Sequence, residues 1–202
     1  AWPGLEGMDL AKDVTTLQSY GWDGGLWTLG HGYASKADKT GTNAARRPKV
    51  VAIDYGIKRN ILRNLVDAGC EVTVVPATAS FEDIMAHQPD GLFLSNGPGD
   101  PAATGVYSVP VIKAWLETKK PLFGICYGHQ LLAHALGGAV DYNPQGREMG
   151  TVPVRLHEAA SADALFAGRV DGVHAFTHPF GCSQLGDDLE RTERLIASLA
   201  RH

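Results

Sequence analysis

Residues 121–130 read PLFGICYGHQ, an apolar strand that runs into a cysteine between two glycines and continues at once as a helical pattern. This is the layout of a nucleophile elbow, in which a tight strand-to-helix turn pushes one side chain out of a sheet. Gly124 and Gly128 leave room around that turn, where side chains would crowd the backbone. We therefore predict that Cys126 lies at a helix N-terminus, where the helix dipole favours the thiolate and nucleophilic attack.

The chain around this elbow alternates strands and helices with short connections. The pattern predicts strands at 49–54, 71–75, 91–94 and 122–125 and helices at 57–68, 81–87 (with Ser80 as N-cap), 109–118 and 128–136. Such alternation predicts an α/β fold with a parallel sheet and helices on both faces. Active sites of these sheets lie at the carboxyl ends of the strands, where Cys126 and the loop 95–101 both fall.

The two ends of the chain carry weaker patterns. Residues 1–48 are loop-like, with three tryptophans, a short helix at 9–14 and a linker at 35–47. Beyond residue 138 the sequence suggests strands at 151–156 and 172–176 and a terminal helix at 189–199.

Composition excludes several classes of partner. The formal net charge is −4 and no basic stripe is present, which argues against nucleic acid and anionic membrane surfaces. No apolar run approaches the length of a membrane span. The three cysteines, Cys70, Cys126 and Cys182, are widely spaced and odd in number, so we expect no disulfide framework and a reducing cytoplasm.

The loop SNGPGDP at residues 95–101 offers backbone N–H groups beside the elbow. A thiolate that attacks a carboxamide builds negative charge on the carbonyl oxygen, which needs donors already in place. Gly97 and Gly99 allow a close backbone approach, and the N–H of Tyr127 is the second natural donor. The alternatives are a phosphate cradle, which lacks its usual Gly-Lys-Ser/Thr ending here, and a plain turn.

These motifs together resemble the class I glutamine amidotransferases. The segments AWPGLEGMDLAK at 1–12, DYGIKRN at 54–60, LSNGPGDP at 94–101 and FGICYGHQ at 123–130 resemble, more closely, the small glutamine-hydrolysing subunit of carbamoyl-phosphate synthase. The resemblance covers residues 1 to about 138. It implies a flavodoxin-like, doubly wound and mostly parallel sheet in a domain at 49–202, preceded at 1–48 by the remnant of an N-terminal domain and a linker.

The resemblance also implies an activity. Cys126 would form a glutamyl thioester, and glutamine would be held at positions that match Gly97, Gly99, Tyr127 and Gln130. Ammonia would pass to a large synthetase subunit, the partner that binds ATP and Mg²⁺, so this chain itself would carry no cofactor and would act in the cytoplasm.

The family's general base and its carboxylate come from a Gly-His-Pro-Glu motif that this chain lacks in full. Its nearest string is THPF at 177–180, with phenylalanine in place of glutamate. We predict His178 as the base, with His174 as second candidate. His129 should be structural. His174, His178 and Cys182 are spaced by four, but Pro179 and Gly181 oppose a helix there, and we predict no metal site.

The tail suggests two other origins. Residues 137–168 resemble stand-alone class I amidotransferase-like proteins, and 173–202 resemble altronate dehydratase-type enzymes, so we expect a C-terminally truncated or altered fold with a foreign tail at 173–202. Two alternative functions follow. One is a catalytically impaired binding module that docks on a synthetase subunit, and the other is a fragment of a metal-dependent sugar-acid dehydratase.

Overall fold

The computed structural model describes residues 4–34, 46–138 and 140, and the backbone of the segments Gly150–Pro153 and His174–Thr177. It divides the chain into two compact units, Ala1–Leu132 and Ala133–His202. In chain order the elements are α1 (Ala11–Val14), β1 (Tyr20–Trp22), β2 (Trp27–Thr28), β3 (Gly32–Tyr33), β4 (Lys49–Asp54), α2 (Arg59–Asp67), β5 (Glu71–Pro76), α3 (Phe81–Ala86), β6 (Gly91–Leu94), α4 (Pro101–Glu117), β7 (Leu122–Gly124), α5 (Tyr127–Ala135), β8 (Gly150–Pro153) and β9 (His174–Thr177).

Within the described residues one sheet has five strands, in the order β1-β5-β4-β6-β7. β4 pairs in parallel with both β5 and β6, and β6 pairs in parallel with β7. The predicted mostly parallel α/β sheet is therefore confirmed. The chain builds outward from β4 in both directions, so the loops after β4 and β6 flank the switch point at which such sheets bind ligands.

The core of the sheet consists of the apolar strands that the sequence predicted. Side chains of β4, β5 and β6 pack with those of α2 in one buried cluster that contains Ala52, Leu62, Val66, Val72, Val74 and Phe93. These strands are apolar at consecutive positions because a parallel sheet is covered on both faces. Cys70, which comes just before β5, is half-buried against this cluster.

The prediction that residues 1–48 are loop-like is wrong for the short strands that they contain. β1 pairs antiparallel with the outer edge of β5, and Trp22 packs against the core cluster. Three residues are too few to display a strand period, whereas the unpaired edge of β5 offers a template for pairing. Farther on, Arg46 of the predicted linker forms an ion pair with Asp90 at 2.9 Å.

Helix α4 begins eight residues before the predicted start at 109. The Asp100 side chain accepts the Ala102 N–H at 2.8 Å, and Pro101 occupies the first turn. Both are strong helix-start signals. Gly105 and Pro110 lie inside the helix, and both have low helix propensity. A prediction from propensity alone therefore places the start of the helix too late.

The second unit contains one antiparallel pair within its described residues. β8 pairs with β9, with Gly150 opposite Thr177 and Pro153 opposite His174. Strands were predicted at both places, with ends shifted by up to three residues. The predicted helix at 189–199, residues 178–202 of the predicted foreign tail at 173–202, and residues 35–45 of the predicted linker lie outside the described residues.

We expect Tyr55→Phe to stabilise the protein by about 1 kcal/mol, because it removes a buried hydroxyl that lacks a partner. Burial raises the pKa of Tyr55 far above its usual range, and the nearby Ser108 hydroxyl offsets this only in part. Neither hydroxyl makes a hydrogen bond of acceptable geometry among the described residues. Thermal unfolding of Tyr55→Phe and Ser108→Ala tests this, and a lower midpoint would mean that the hydroxyls are hydrogen-bonded after all.

Candidate active site

Cys126 lies between β7 and α5 at the carboxyl end of the sheet, and its side chain is exposed. Its φ is +51°, in the left-handed region that a non-glycine residue rarely adopts. The Gln130 N–H donates to the Cys126 carbonyl oxygen at 3.0 Å, so the helix starts directly after the cysteine. This is a strained strand-to-helix turn with an outward thiol, as the sequence predicts.

The glycines on either side of Cys126 are required by backbone that packs against them. A Cβ atom at Gly124 would lie 2.8 Å from the backbone carbon of Gly128. A Cβ at Gly128 would lie 2.6 Å from the backbone carbon of Leu94, at the end of β6. The Ile125 N–H also donates to the Leu94 carbonyl at 3.1 Å, so the elbow is pressed directly onto the neighbouring strand.

The glycines of the loop after β6 are also packed against protein. A Cβ at Gly97 would lie 2.8 Å from the Tyr55 Cβ. At Gly99, where φ is +89°, a Cβ would lie 3.0 Å from the Leu10 backbone nitrogen. Glycine is therefore needed at both positions because the N-terminal segment and the turn after β4 pack against them. The sequence alone did not reveal this reason.

Asn96 joins the two loops that flank the switch point. Its side-chain amide donates to the Gly56 carbonyl at 2.8 Å, and its Oδ1 accepts the Lys58 N–H at 3.0 Å. Sequence reasoning missed both Asn96 and Lys58 as residues of the site. The available signal was position, since each follows the carboxyl end of a buried parallel strand.

The surroundings of Cys126 favour the neutral thiol. Desolvation by the neighbouring protein raises the pKa of Cys126, and the positive charge of Lys58 lowers it by less. The expectation that the helix N-terminus leaves a ready thiolate is therefore wrong for the described surroundings, because loss of hydration outweighs the nearby positive charge. Attack by Cys126 consequently requires a base that accepts its proton.

We expect Lys58→Ala to raise the pKa of Cys126 further and to slow its alkylation at fixed pH. Only the thiolate reacts with iodoacetamide, so the rate should rise with pH through a midpoint above the ordinary cysteine value. The midpoint should move upward in Lys58→Ala and stay in place in Lys58→Arg. Peptide mass spectrometry of the Cys126 peptide measures this, and an unchanged midpoint in Lys58→Ala would contradict the electrostatic role.

The remaining predicted residues of the elbow lie in the first turn of α5. Tyr127 is buried, and its backbone N–H is the first of the helix, where no carbonyl within the helix can accept it. Gln130 is half-buried in the same turn. Desolvation lowers the pKa of His129, and its Nε2 is buried without a hydrogen-bond partner among the described residues.

Several predicted residues cannot be placed. His178 and Cys182 lie outside the described residues, and only the backbone of His174 is described. In the described part of the chain no group of three or more His, Cys, Asp or Glu side chains could hold a metal ion. No helix of that part combines the length and apolar character needed to cross a bilayer.

Comparison with known families agrees with this geometry. The sequence model described as glutamine amidotransferase class-I matches residues 51–194, which is most of the chain and includes the elbow. The chain belongs to the class I glutamine amidotransferase family. The match continues well past residue 138, where the resemblance by motif ends, and into the tail that we compared with sugar-acid dehydratases.

Curated proteins of one name are similar to most or all of this chain. The carbamoyl phosphate synthase small chain of Zymomonas mobilis is 57% identical over 210 residues, which cover 100% of this chain and 54% of the relative. The proteins of the same name from Ruegeria pomeroyi and Rhizobium meliloti are 51% and 48% identical over 88% and 91% of the chain, and 44% and 45% of their own lengths. The chain thus spans about half the length of the curated relatives that it matches.

Solved structures support the fold. A Thermotoga maritima glutamine amidotransferase matches with a TM-score of 0.51 and 18% identity, covering 67% of this chain and 62% of that one. A Thermoplasma acidophilum protein assigned to GMP synthase matches with a TM-score of 0.56 and 22% identity, covering 71% of each chain. At these identities the likeness concerns the fold alone, and it agrees with the flavodoxin-like sheet predicted from the sequence.

Proposed function

We propose that this chain hydrolyses glutamine to glutamate and ammonia through a thioester on Cys126. The observation that carries this is the exposed cysteine on a left-handed residue at a strand-to-helix turn. Membership of the class I family and similarity to the curated small chains support glutamine as the substrate.

The proposed reaction has two stages. The Cys126 sulfur, after losing its proton to a base, attacks the side-chain carbonyl carbon of glutamine, and the carbonyl oxygen becomes an oxyanion. The Tyr127 N–H and the Gly97–Gly99 loop are the proposed oxyanion and substrate contacts, with Gln130 beside them. The C–N bond then breaks as the leaving nitrogen takes up the proton and departs as ammonia, and water hydrolyses the thioester to release glutamate.

The proposed destination of the ammonia is a large synthetase subunit. The curated relatives are small chains of carbamoyl phosphate synthase, which implies such a partner for them. We propose that this chain feeds the same kind of partner for carbamoyl phosphate synthesis, that ATP and Mg²⁺ bind there, and that the pair works in the cytoplasm, where a reducing environment keeps Cys126 free. We also propose residues 49–202 as the glutaminase domain.

The proposed base is His178. The raised pKa of Cys126 supports the need for a base, and the string THPF at 177–180 is the one in this sequence that most resembles the family's His-Pro-Glu motif. We expect His178→Asn to lower the turnover number for glutamine about 10²- to 10⁴-fold, the usual contribution of a general base. Activity that persists in His178→Asn and is lost in His174→Asn would transfer the role to His174.

The function is tested by glutamate release from purified protein, with and without a large synthetase subunit. The expected result is hydrolysis that is saturable in glutamine and is lost in Cys126→Ser. Binding to the synthetase without any glutamine hydrolysis would instead support the impaired binding module. No observation favours the dehydratase alternative.

A further inference from the structure

A chain of hydrogen bonds runs from the residue after Cys126 to the N-terminal segment. The Tyr127 hydroxyl donates to Thr104 Oγ1 at 2.7 Å, and Thr104 Oγ1 donates to Asp9 Oδ1 at 2.6 Å. The Tyr107 hydroxyl donates to the same Asp9 oxygen at 3.1 Å. A carboxylate can only accept, so the Thr104 proton is directed to Asp9 and Thr104 Oγ1 is left to accept from Tyr127. The Tyr127 hydroxyl has a second, longer acceptor in the Asp100 carbonyl oxygen, at 3.1 Å.

The hydrogen bonds between Tyr127, Thr104 and Asp9 are shielded from water. Thr104 is fully buried and Tyr127 is only 3% exposed. Burial, together with the negative charge of Asp9 among smaller causes, raises the pKa of Tyr127 to about 12, so its hydroxyl keeps its proton at neutral pH. Buried hydrogen bonds that end on a carboxylate are stronger than exposed neutral ones, which makes the chain a firm anchor.

These hydrogen bonds fix the side chain of Tyr127, the first residue of α5, at its hydroxyl group. The Tyr127 ring packs against the Tyr55 ring with 5.9 Å between centroids. A Cβ atom at Gly97 would lie 3.1 Å from Tyr127 Cδ1, so the ring also lies against the glycine loop. The position of the residue 127 backbone relative to that loop therefore depends on where the ring and its hydroxyl are held.

The segment that carries Asp9 is itself bound to the end of the glycine loop. The Gly7 N–H donates to Asp100 Oδ2 at 2.8 Å, and the Asp100 N–H donates to the Met8 carbonyl at 2.9 Å. Asp9 follows directly in the chain. Residues 7–9 thus form one short segment that is hydrogen-bonded to the end of the glycine loop and, through Thr104, to Tyr127.

We propose that Asp9, acting through Thr104 and the Tyr127 hydroxyl, is a positioning residue that aims the Tyr127 backbone N–H at the oxyanion formed on attack by Cys126. The inference rests on the proposed function for its substrate, glutamine. Alignment of the Tyr127 N–H with the oxyanion should matter equally for any other carbonyl compound that Cys126 attacks.

Two reagents separate this role from a merely structural one. Acylation of Cys126 by p-nitrophenyl acetate passes through an oxyanion, whereas alkylation by iodoacetamide displaces iodide and does not. In Tyr127→Phe and Asp9→Ala we expect acylation to slow about tenfold while alkylation changes less than about twofold. Asp9→Asn keeps an accepting oxygen and should restore most of the acylation rate. Rates are taken after subtracting those of Cys126→Ser.

Tyr107→Phe is the matched control, because it removes a tyrosine hydroxyl bonded to the same Asp9 oxygen without touching the elbow. It should leave the ratio of acylation to alkylation unchanged. Equal losses in both reactions, or no loss in either, would overturn the proposal. A changed ratio in a protein that does not hydrolyse glutamine would defeat only the proposed function, and an unchanged ratio in an active glutaminase would defeat only the positioning role.

Discussion

Replacing Gly128 by alanine should abolish catalysis by Cys126 and lower the free energy of unfolding by about 3 kcal/mol. The new Cβ would meet the backbone of Leu94, whose carbonyl carbon is 2.6 Å away. Backbone at the end of a buried parallel strand has no freedom to move aside, unlike the tip of a flexible side chain. The elbow would therefore shift off β6, and both the thiol and the Tyr127 N–H would lose their places.

Gly91→Ala provides the matched control in β6 itself. A Cβ there would meet its nearest neighbour, the Pro121 carbonyl oxygen, at 3.6 Å, an ordinary contact. We expect that variant to keep its activity and to unfold within a few degrees of the original protein. Thermal unfolding and glutaminase assays of the two variants make the comparison. Equal behaviour of Gly128→Ala and Gly91→Ala would contradict the packing of the elbow described here.

The second large effect is expected at the nucleophile. Cys126→Ser should lower glutamine turnover at least about 10⁴-fold, because a serine hydroxyl gives almost no alkoxide at neutral pH and the site is built around a thiol. The unfolding midpoint should hardly change, since the side chain is exposed and the replacement nearly isosteric. Cys70→Ser is the control, because Cys70 is half-buried beside the core cluster, before β5 and away from the elbow. Loss of turnover in Cys70→Ser alone would refute the assignment.

Much of the sheet could be predicted because its strands are locally unambiguous. β4 and β6 have the predicted bounds, and the strand that leads to the elbow differs by one residue. Ser80 caps α3 as predicted, within a full capping box with Asp83. In each case the signal lies in a few consecutive residues, either an apolar run or a cap, and needs no tertiary contact to be read.

What could not be predicted depends on distant partners. Tyr20–Trp22 become a strand only because the edge of β5 is free to pair with them. The Asn96 bridge to Lys58 spans 38 residues, and the Asp9 bond to Thr104 spans 95. The raised pKa of Cys126 likewise comes from burial by the folded protein, which the argument from the local turn did not include.

A glutamyl thioester on the Cys126 peptide is the species that tests the proposed mechanism most directly. Purified protein is mixed with glutamine, quenched in acid after a fraction of one turnover, digested and analysed by peptide mass spectrometry. We predict a glutamyl adduct on Cys126 that forms before glutamate accumulates and is missing from Cys126→Ser. Glutamine hydrolysis that proceeds with the adduct on another residue, or that continues in Cys126→Ser, would contradict the mechanism.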